Sequence, residues 1–378
     1  MKSIAPFSFV HSNRRVIYAW DALAQLSDIV KSSGCTRTAL VLDAYFMDTS
    51  LRARLEAMLH PRVVHAIPAE EPDTATIEAC RDALAPVDPD LIVVIGGGSA
   101  MDATKVARLL LANPGSAESH AGIDRGLTPH GSLLIAAPTT AGTGSEVSES
   151  AIAGKAGHDI KLIWRSPDMT PQIAILDPAL IVSCPPRVTA YAGYDAVTHA
   201  VEAYVSRAAS VMTDPFAQSA LALLARWLPV AYREPEHKEA RGAVLVASLQ
   251  AAIAFNSAHL GLAHAIAAPL GALYGVAHGL GNALALPAVT AFNEPFLGDK
   301  GAWIARAFGS RTAAGGLARL RHQLDLDLSL DLFAPTEAAR EAIAQATMKS
   351  GQLRMNPRIA MLDDVRGVVA AMREPTGT

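Results

Sequence analysis

Short apolar runs alternate with helical segments through the first half of the chain. The apolar runs are rich in β-branched residues and occupy residues 38–43, 62–67, 90–95, 132–137 and 173–176. Helical periodicity between them predicts helices over 51–59, 74–85 and 99–112. Strands that are apolar along their whole length and alternate with helices are typical of a parallel sheet covered on both faces. The first half is therefore predicted to be an α/β domain.

The pattern changes at the sequence Ser-Cys-Pro-Pro, residues 183–186. Beyond it strand-like runs nearly vanish. The 3.6-residue periodicity predicts helices over 187–206, 214–230, 237–256, 259–274, 300–308, 337–347 and 363–372. We therefore expect an α/β domain over residues 1–183 and an all-helical domain over residues 184–378.

Charge and cysteine content argue against several classes of protein. The formal net charge is −4 and no basic run exceeds two residues, so a nucleic-acid-binding surface is not expected. The three cysteines are isolated and form neither a disulfide framework nor a CxxC motif, which favours a reducing compartment. Since the N-terminal segment also lacks the apolar core of a signal peptide, the sequence predicts a cytoplasmic protein.

A long uncharged stretch lies between Arg241 and Glu294. Its 52 residues contain no Asp, Glu, Lys or Arg. A membrane-spanning helix needs about 20 consecutive apolar residues, whereas prolines, glycines, an asparagine and histidines interrupt this stretch. It therefore predicts buried core helices, with no membrane partner.

The glycine-rich segment IGGGSAMDATK, residues 95–105, follows an apolar strand and opens a helix. Glycines let a ligand approach the backbone, and a helix N-terminus favours an anion, so Gly97, Gly98 and Ser99 are candidate phosphate ligands, with Asp102 in the following turn. The pattern matches neither GxGxxG nor GxxxxGK[ST]. A tight strand-to-helix turn with a capping serine remains the alternative.

A second loop, PTTAGTGSEVS at residues 138–148, also follows an apolar strand. It offers the hydroxyl groups of Thr139, Thr140 and Thr143. Two anion-binding loops at adjacent strand ends would suit the diphosphate of a dinucleotide, although a solvated Ser/Thr loop is the alternative. Asp43 ends an earlier strand, where a carboxylate can bind an adenosine ribose and repel a 2′-phosphate.

Four side chains in the second half predict a metal site. Asp195 and His199 are four residues apart and share one face of a helix, while His264 and His278 lie in the uncharged stretch. Along one straight helix the two later histidines would be about 21 Å apart, so the chain must turn between them, for which Pro269, Gly271 and Gly275 provide the means. One carboxylate and three imidazoles suit Fe(II), Zn(II) or Co(II). A buried Asp–His hydrogen bond and satisfied core histidines are the alternative.

These segments resemble the iron-containing alcohol dehydrogenases, in that family's order and spacing over roughly residues 5–375. The matching motifs are GGGSxxDxxK (96–105), PTTAGTGSE (138–146), AILDP (174–178), CPP (184–186), DAxTHAxEAY (195–204) and HAxxxPLGxxxGxxHGxxNAxxLP (264–287). The resemblance implies a Rossmann-like dinucleotide-binding domain followed by a helical domain that holds one iron, an architecture shared with dehydroquinate synthase.

The resemblance also assigns residues. It implies that Asp195, His199, His264 and His278 bind Fe(II), with Zn(II) as the other option, and that loops 96–99 and 139–143 bind the cofactor. By the same resemblance Asp43 favours NAD(H) over NADP(H), Lys161 lies near the nicotinamide ribose, and the enzyme is a homodimer.

One position departs from the family pattern. Many members carry a histidine four residues after the third metal ligand, and this chain has Ala268 there. His259 is nine residues earlier, about 13 Å along a continuous helix, and is a poor substitute.

The sequence therefore predicts a metal-dependent, NAD(P)-linked alcohol dehydrogenase or aldehyde reductase acting on a small molecule. A maleylacetate reductase-like enzyme for functionalised keto acids or aldehydes and a glycerol dehydrogenase-like enzyme are alternatives. A lyase of the dehydroquinate synthase type, or a metal-binding protein without catalytic activity, fits the motifs less well.

Overall fold

The computed structural model describes residues 8–9, 11–158 and 160–373, which divide into two units. The sheet unit comprises His11–Thr140 and Gly144–Val182. The helical unit takes the short segment Ala141–Thr143 together with the chain from Ser183 onward.

The sheet unit is built from short strands and four α-helices. Its strands are β1 (Arg15–Tyr18), β2 (Thr38–Asp43), β3 (Val63–Ile67), β4 (Leu91–Gly96), β5 (Gly122–Ile123), β6 (Leu133–Pro138), β7 (Ser150–Gly154), β8 (Lys161–Arg165) and β9 (Ile173–Leu176). Its helices are α1 (Leu26–Ser33), α2 (Ser50–Leu59), α3 (Thr74–Leu84) and α4 (Gly98–Ala112).

Six of these strands form one parallel sheet in the order β1-β9-β6-β4-β2-β3. The predicted parallel sheet is therefore confirmed, with β1 as an additional edge strand. The chain passes from β2 outward to β3 and then returns to the other side of β2 as β4. The strand order reverses between β2 and β4, and open α/β sheets bind ligands at the carboxyl ends of strands at such a reversal.

Alternate residues of the buried strands supply the two cores of this unit. In β2, Ala39 and Val41 pack in a cluster with α3 and α4, while Leu40 and Leu42 pack in another with α1 and α2. Because successive strand residues point to opposite faces, these runs had to be apolar throughout.

A smaller sheet in the order β5-β8-β7 was not predicted. Its strands β7 and β8 pair antiparallel, and β7 alternates between buried and exposed positions. Such a strand carries no continuous apolar run, which is why the sequence did not reveal it.

The helical unit contains nine α-helices within the described residues. They are α5 (Pro186–Val205), α6 (Asp214–Arg233), α7 (Lys238–Ala258), α8 (Leu262–Tyr274), α9 (His278–Asn293), α10 (Gly298–Ala307), α11 (Ala313–Gln323), α12 (Glu337–Thr347) and α13 (Leu362–Ala371). Two of them, α9 and α11, are not predicted from the sequence. Both carry glycines near their beginnings, and α9 also contains Pro287, so intrinsic propensity argued against them.

The predicted helix over 259–274 begins later, at Leu262. His259 has φ 61°, which ends α7, and α8 departs at 104° to it. The expectation of a continuous helix from His259 to Ala268 is therefore wrong.

The uncharged stretch forms most of α7 and all of α8 and α9, whose residues are mostly buried within the helical unit. Over the described residues no single helix is long and apolar enough to cross a membrane. The bent pair α7–α8 reaches that length and composition only when its two helices are taken together.

Candidate metal centre and nucleotide-binding loops

Helix α5 places three acidic or basic side chains on one buried face. Asp195, His199 and Glu202 follow at intervals of four and three residues, and all three are at least 95% buried. Charged side chains are rarely buried to this extent unless they pair or bind a cation. The sequence predicts Asp195 and His199 as site residues, whereas Glu202 is not among the predicted ones.

Helices α8 and α9 bring the two remaining histidines to the same place. His264 is the third residue of α8, and His278 is the first residue of α9. The chain turns at Gly275, which has φ 65°. Pro269 and Gly271 lie inside α8, so their predicted part in the turn is wrong.

The three histidines among the four predicted ligands surround the fourth, Asp195. Its Oδ1 lies 3.7 Å from Nε2 of His199, 3.5 Å from Nε2 of His264 and 3.6 Å from Nε2 of His278. The ligand atoms of Asp195, His199 and His264 are all within 4.8 Å of one another. Tetrahedral ligands at about 2.1 Å from one ion lie roughly 3.4 Å apart, so the spacing fits a single metal ion.

In two of the three imidazoles, the Nδ1 atom forms a hydrogen bond within the protein. Nδ1 of His199 is 3.2 Å from the carbonyl oxygen of Gly142, and Nδ1 of His264 is 2.6 Å from Oε2 of Glu202. Both oxygens can only accept, so both imidazoles carry their proton on Nδ1 when neutral. In each of these imidazoles Nε2 then has a lone pair that can bind a metal.

The electrostatics of the cluster favour a cation. Burial disfavours ionisation of Asp195, but the three surrounding imidazoles outweigh it and hold the pKa of this carboxyl well below its usual range. Burial lowers the pKa of His199 to about 4. Burial also tends to lower the pKa of His264, but hydrogen bonds to Asp195 and Glu202 outweigh burial and raise the pKa of this imidazole to about 9.

Asn282, one turn after His278 on α9, was also missed. Its Nδ2 donates to Oδ1 of Asp195 at 2.7 Å and lies 3.1 Å from Nε2 of His264. Its Oδ1 is buried and has no hydrogen-bond partner among the described residues. A polar amide directed into the ligand cluster shows that this interior is built for a polar or charged occupant.

At the strand reversal of the sheet unit, Asp43 lies beside the first glycine loop. A Cβ added to Gly96 would be 3.0 Å from Cβ of Asp43 and 2.6 Å from Cβ of Ala100, so only glycine fits there. The Asp43 carboxylate accepts a hydrogen bond from the Tyr45 N–H at 3.0 Å, which fixes its position.

The first loop leads into α4, whose N-cap is Gly97 without a side-chain cap. The alternative of a capping serine is therefore wrong, because Ser99 is the second residue of the helix. Gly97, Gly98 and Ser99 are only half-buried. Their N–H groups at the start of a 15-residue helix are available to an anion.

The second loop lies next to the first, as predicted. Strands β4 and β6 pair, and the Thr139 N–H donates to the Gly96 carbonyl at 3.0 Å. A Cβ on Gly97 would be 3.5 Å from Oγ1 of Thr140. Thr143 belongs to the segment grouped with the helical unit.

Asp102 and Lys105 connect α4 to the second loop. Asp102 accepts hydrogen bonds from Ser145 Oγ and from the Ile152 N–H, and Lys105 Nζ donates to the carbonyls of Ser145 and Ser150. Both side chains therefore hold the loop in place. Lys161 on β8 pairs with Glu71 at 2.7 Å.

Comparison with known proteins identifies the family. Residues 13–178 match the family described as iron-containing alcohol dehydrogenase, and residues 189–372 match its C-terminal region.

Among curated proteins, "Probable alcohol dehydrogenase EutG" of Escherichia coli (strain K12) is 37% identical over 309 residues, covering 80% of this chain and 78% of that protein. "NAD-dependent methanol dehydrogenase" of Bacillus methanolicus is 30% identical over 366 residues, covering 92% and 95%. The solved structure of a 1,3-propanediol oxidoreductase has a TM-score of 0.91 and 28% identity, covering 97% of this chain and 100% of that chain. The chain therefore belongs to the iron-containing alcohol dehydrogenase family and is an oxidoreductase that acts on alcohols.

Proposed function

We propose that this dehydrogenase interconverts a small alcohol and its aldehyde with NAD(H), at an iron ion held by Asp195, His199, His264 and His278. The observation that carries this proposal is the set of nearly equal distances, 3.5–3.7 Å, from Oδ1 of Asp195 to the three imidazole Nε2 atoms. The unpaired Oδ1 of Asn282 supports it further.

The donor set of one carboxylate and three imidazoles suits Fe(II) and also accepts Zn(II). When bound, the metal supplies a Lewis acid for the substrate oxygen, and the nicotinamide supplies or accepts the hydride. The protein's own contribution is to hold the ligand atoms in place. The Gly142 carbonyl and the Glu202 carboxylate fix the tautomers of His199 and His264.

For the nucleotide, we propose that the helix N-terminus at Gly97–Ser99 and the hydroxyl groups of Thr139, Thr140 and Thr143 bind the diphosphate. Asp43 would accept hydrogen bonds from the adenosine ribose and repel the 2′-phosphate of NADP(H). The dependence of the Bacillus methanolicus relative on NAD supports this preference. Asp102 would act by anchoring the second loop, and Lys161 would lie near the nicotinamide ribose, as the family resemblance implies.

We further propose that the enzyme is a cytoplasmic homodimer. Its three cysteines are free, which supports a reducing compartment. The family match favours the dehydrogenase over the lyase and over a metal-binding protein without catalytic activity.

A reductase of a functionalised aldehyde or keto acid is the second candidate. It is favoured by Ala268, which lies one turn after His264 on α8 and is not fully buried. The methyl group leaves room that an imidazole would fill in many relatives of the family.

The test is a screen of alcohols and aldehydes with NADH and NADPH, using protein loaded anaerobically with Fe(II) and, in parallel, with Zn(II). We expect turnover that depends on the metal and is faster with NADH. Binding of NADH and metal without turnover of any alcohol or aldehyde would contradict the proposed activity.

A further inference from the structure

Glu202 is a buried carboxylate that the proposed ligand set does not use. It lies near the end of α5, seven residues after Asp195, and is 5% exposed. No lysine or arginine forms an ion pair with it among the described residues, so its charge is balanced by hydrogen-bond donors of another kind.

All of its donors within the described part of the chain come from the beginning of α8. Oε2 accepts from Nδ1 of His264 at 2.6 Å and from the Gly261 N–H at 2.9 Å, and Oε1 accepts from the Ala263 N–H at 2.6 Å. One carboxylate thus binds two backbone groups and one imidazole of the same helical turn.

The sharp turn between α7 and α8 explains why this carboxylate is required. The N-cap of α8 is Gly261, whose residue type has no side chain to accept the first N–H groups of the helix. These groups are buried, and unpaired buried N–H groups are costly. A carboxylate at a helix N-terminus satisfies them and also interacts favourably with the helix dipole.

We propose that Glu202 is a positioning residue of the metal centre: it fixes the start of α8 and holds the His264 proton on Nδ1, so that Nε2 faces the metal. A carboxylate behind a ligating imidazole also increases the basicity of that ligand. The inference rests on the proposed metal site, because only there does the tautomer of His264 matter.

The substitution Glu202→Gln tests the charge without changing the size of the side chain. All three partners of Glu202 are donors, whereas glutamine presents one acceptor oxygen and one donor NH₂ group. If the NH₂ group faces His264, this imidazole must accept at Nδ1 and carry its proton on Nε2, which blocks the metal.

Asn356 provides a matched control. Its Oδ1 is 3.4 Å from the Leu262 N at the same helix start, and its amide pairs with Asn293. In the part of the chain that the structure describes, Asn356 forms no hydrogen bond with His264. Asn356→Ala therefore loosens the start of α8 and leaves the carboxylate–imidazole pair intact.

The experiment is a competition titration of Co(II) against a chelator, recording the visible d–d absorption, on wild type and on the Glu202→Gln, Asn356→Ala and His199→Ala variants. We expect Glu202→Gln to bind Co(II) about 10–100-fold more weakly with an altered spectrum, and Asn356→Ala to stay within about threefold of wild type. Equal weakening by Glu202→Gln and Asn356→Ala, or wild-type affinity and spectrum in Glu202→Gln, would overturn the inference.

Two further measurements distinguish a wrong assignment of the metal site from a wrong role for Glu202. If His199→Ala keeps wild-type affinity, the metal site itself is wrongly assigned; if it loses the metal while Glu202→Gln does not, only the role of Glu202 fails. Should Glu202→Gln not fold, long-range ¹H–¹⁵N spectra of the zinc-loaded wild type decide. We expect His264 to be protonated at Nδ1, and protonation at Nε2 would overturn the inference.

Discussion

At the residue scale, we propose that one carboxylate at the strand reversal, Asp43, determines the choice of cofactor. Asp43 stands beside Gly96 and is oriented by the Tyr45 N–H. Its negative charge and the 2′-phosphate of NADP(H) would repel each other, since the proposed ribose site is next to it.

We expect Asp43→Asn to raise the ratio of kcat/KM for NADPH over NADH by about tenfold, the effect of removing ~1.4 kcal/mol of repulsion. Asparagine keeps an acceptor for the Tyr45 N–H, so this variant isolates the charge. Asp43→Gly should give a similar shift. A wild type that already prefers NADPH, or a shift in Asp43→Gly alone, would contradict the role of the charge.

Ala268 belongs to the same scale, because a single methyl group stands where many relatives carry an imidazole. We expect wild type to prefer bulkier or functionalised aldehydes to acetaldehyde and propanal. Ala268→His should reverse this preference and change the pH dependence of kcat/KM, since general acid–base assistance is worth typically 10²–10⁴-fold where a reaction needs it. An unchanged substrate ranking together with an unchanged pH profile would show that position 268 does not line the site.

At the scale of elements, the proposed metal centre depends on how closely α9 approaches α5. A Cβ on Gly279 would lie 2.2 Å from the carbonyl oxygen of Tyr191, which is backbone and cannot rotate away. Gly279 is adjacent to His278, so the contact between the two helices also sets the position of this proposed ligand.

We therefore expect Gly279→Ala to lower the free energy of unfolding by about 2–3 kcal/mol in urea titrations and to weaken metal binding. Gly367→Ala on α13 is the matched control. A Cβ there meets nothing within 4 Å, so the same substitution should stabilise by about 0.5–1 kcal/mol through helix propensity. Equal effects of the two substitutions would refute the close approach.

The second loop of the sheet unit contains a buried acid, Glu146, whose pKa is raised by burial to about 7 despite the nearby Lys105 ammonium. In the unfolded chain the same carboxyl ionises near 4.5. The folded protein therefore holds one more proton than the unfolded chain between these values, and this group makes stability fall as pH rises from about 4.5 to 7.

Glu146→Gln removes this difference in bound protons between the folded and the unfolded protein. We expect the free energy of unfolding of the variant, minus that of wild type, to increase by on the order of 1–3 kcal/mol between pH 5 and pH 8. The measurement is urea unfolding at several pH values. Parallel curves for the two proteins would mean that Glu146 does not titrate in this window.

At the scale of the whole molecule, the features that could be predicted from the sequence are those that depend on a regular spacing of residues along the chain. Continuous apolar runs predicted the parallel sheet, and the interval of four between Asp195 and His199 predicted a shared helical face. Glu202 follows three residues after His199 on that face, so the same interval argument could have found it. Asn282 repeats the interval of four after His278, but α9 itself was not predicted.

The features that could not be predicted from the sequence depend on contacts between distant segments of the chain. The His259 backbone turns the chain by means of a positive φ, which no pattern of residue types encodes at a histidine. Likewise, the tautomers of His199 and His264 depend on Gly142 and Glu202, which come from other parts of the chain. The alternating strands of the small sheet lacked the apolar run on which the sequence prediction relied.

The proposed function requires that Asp195, His199, His264 and His278 together hold one catalytic iron. The most direct measurement is the iron content per chain of His264→Ala and His278→Ala after anaerobic loading and desalting, with NADH binding followed by fluorescence as the control for folding. We expect wild type to retain one iron, both variants to lose iron and turnover, and NADH binding largely to survive. A variant that retains one iron per chain and full activity would contradict this expectation.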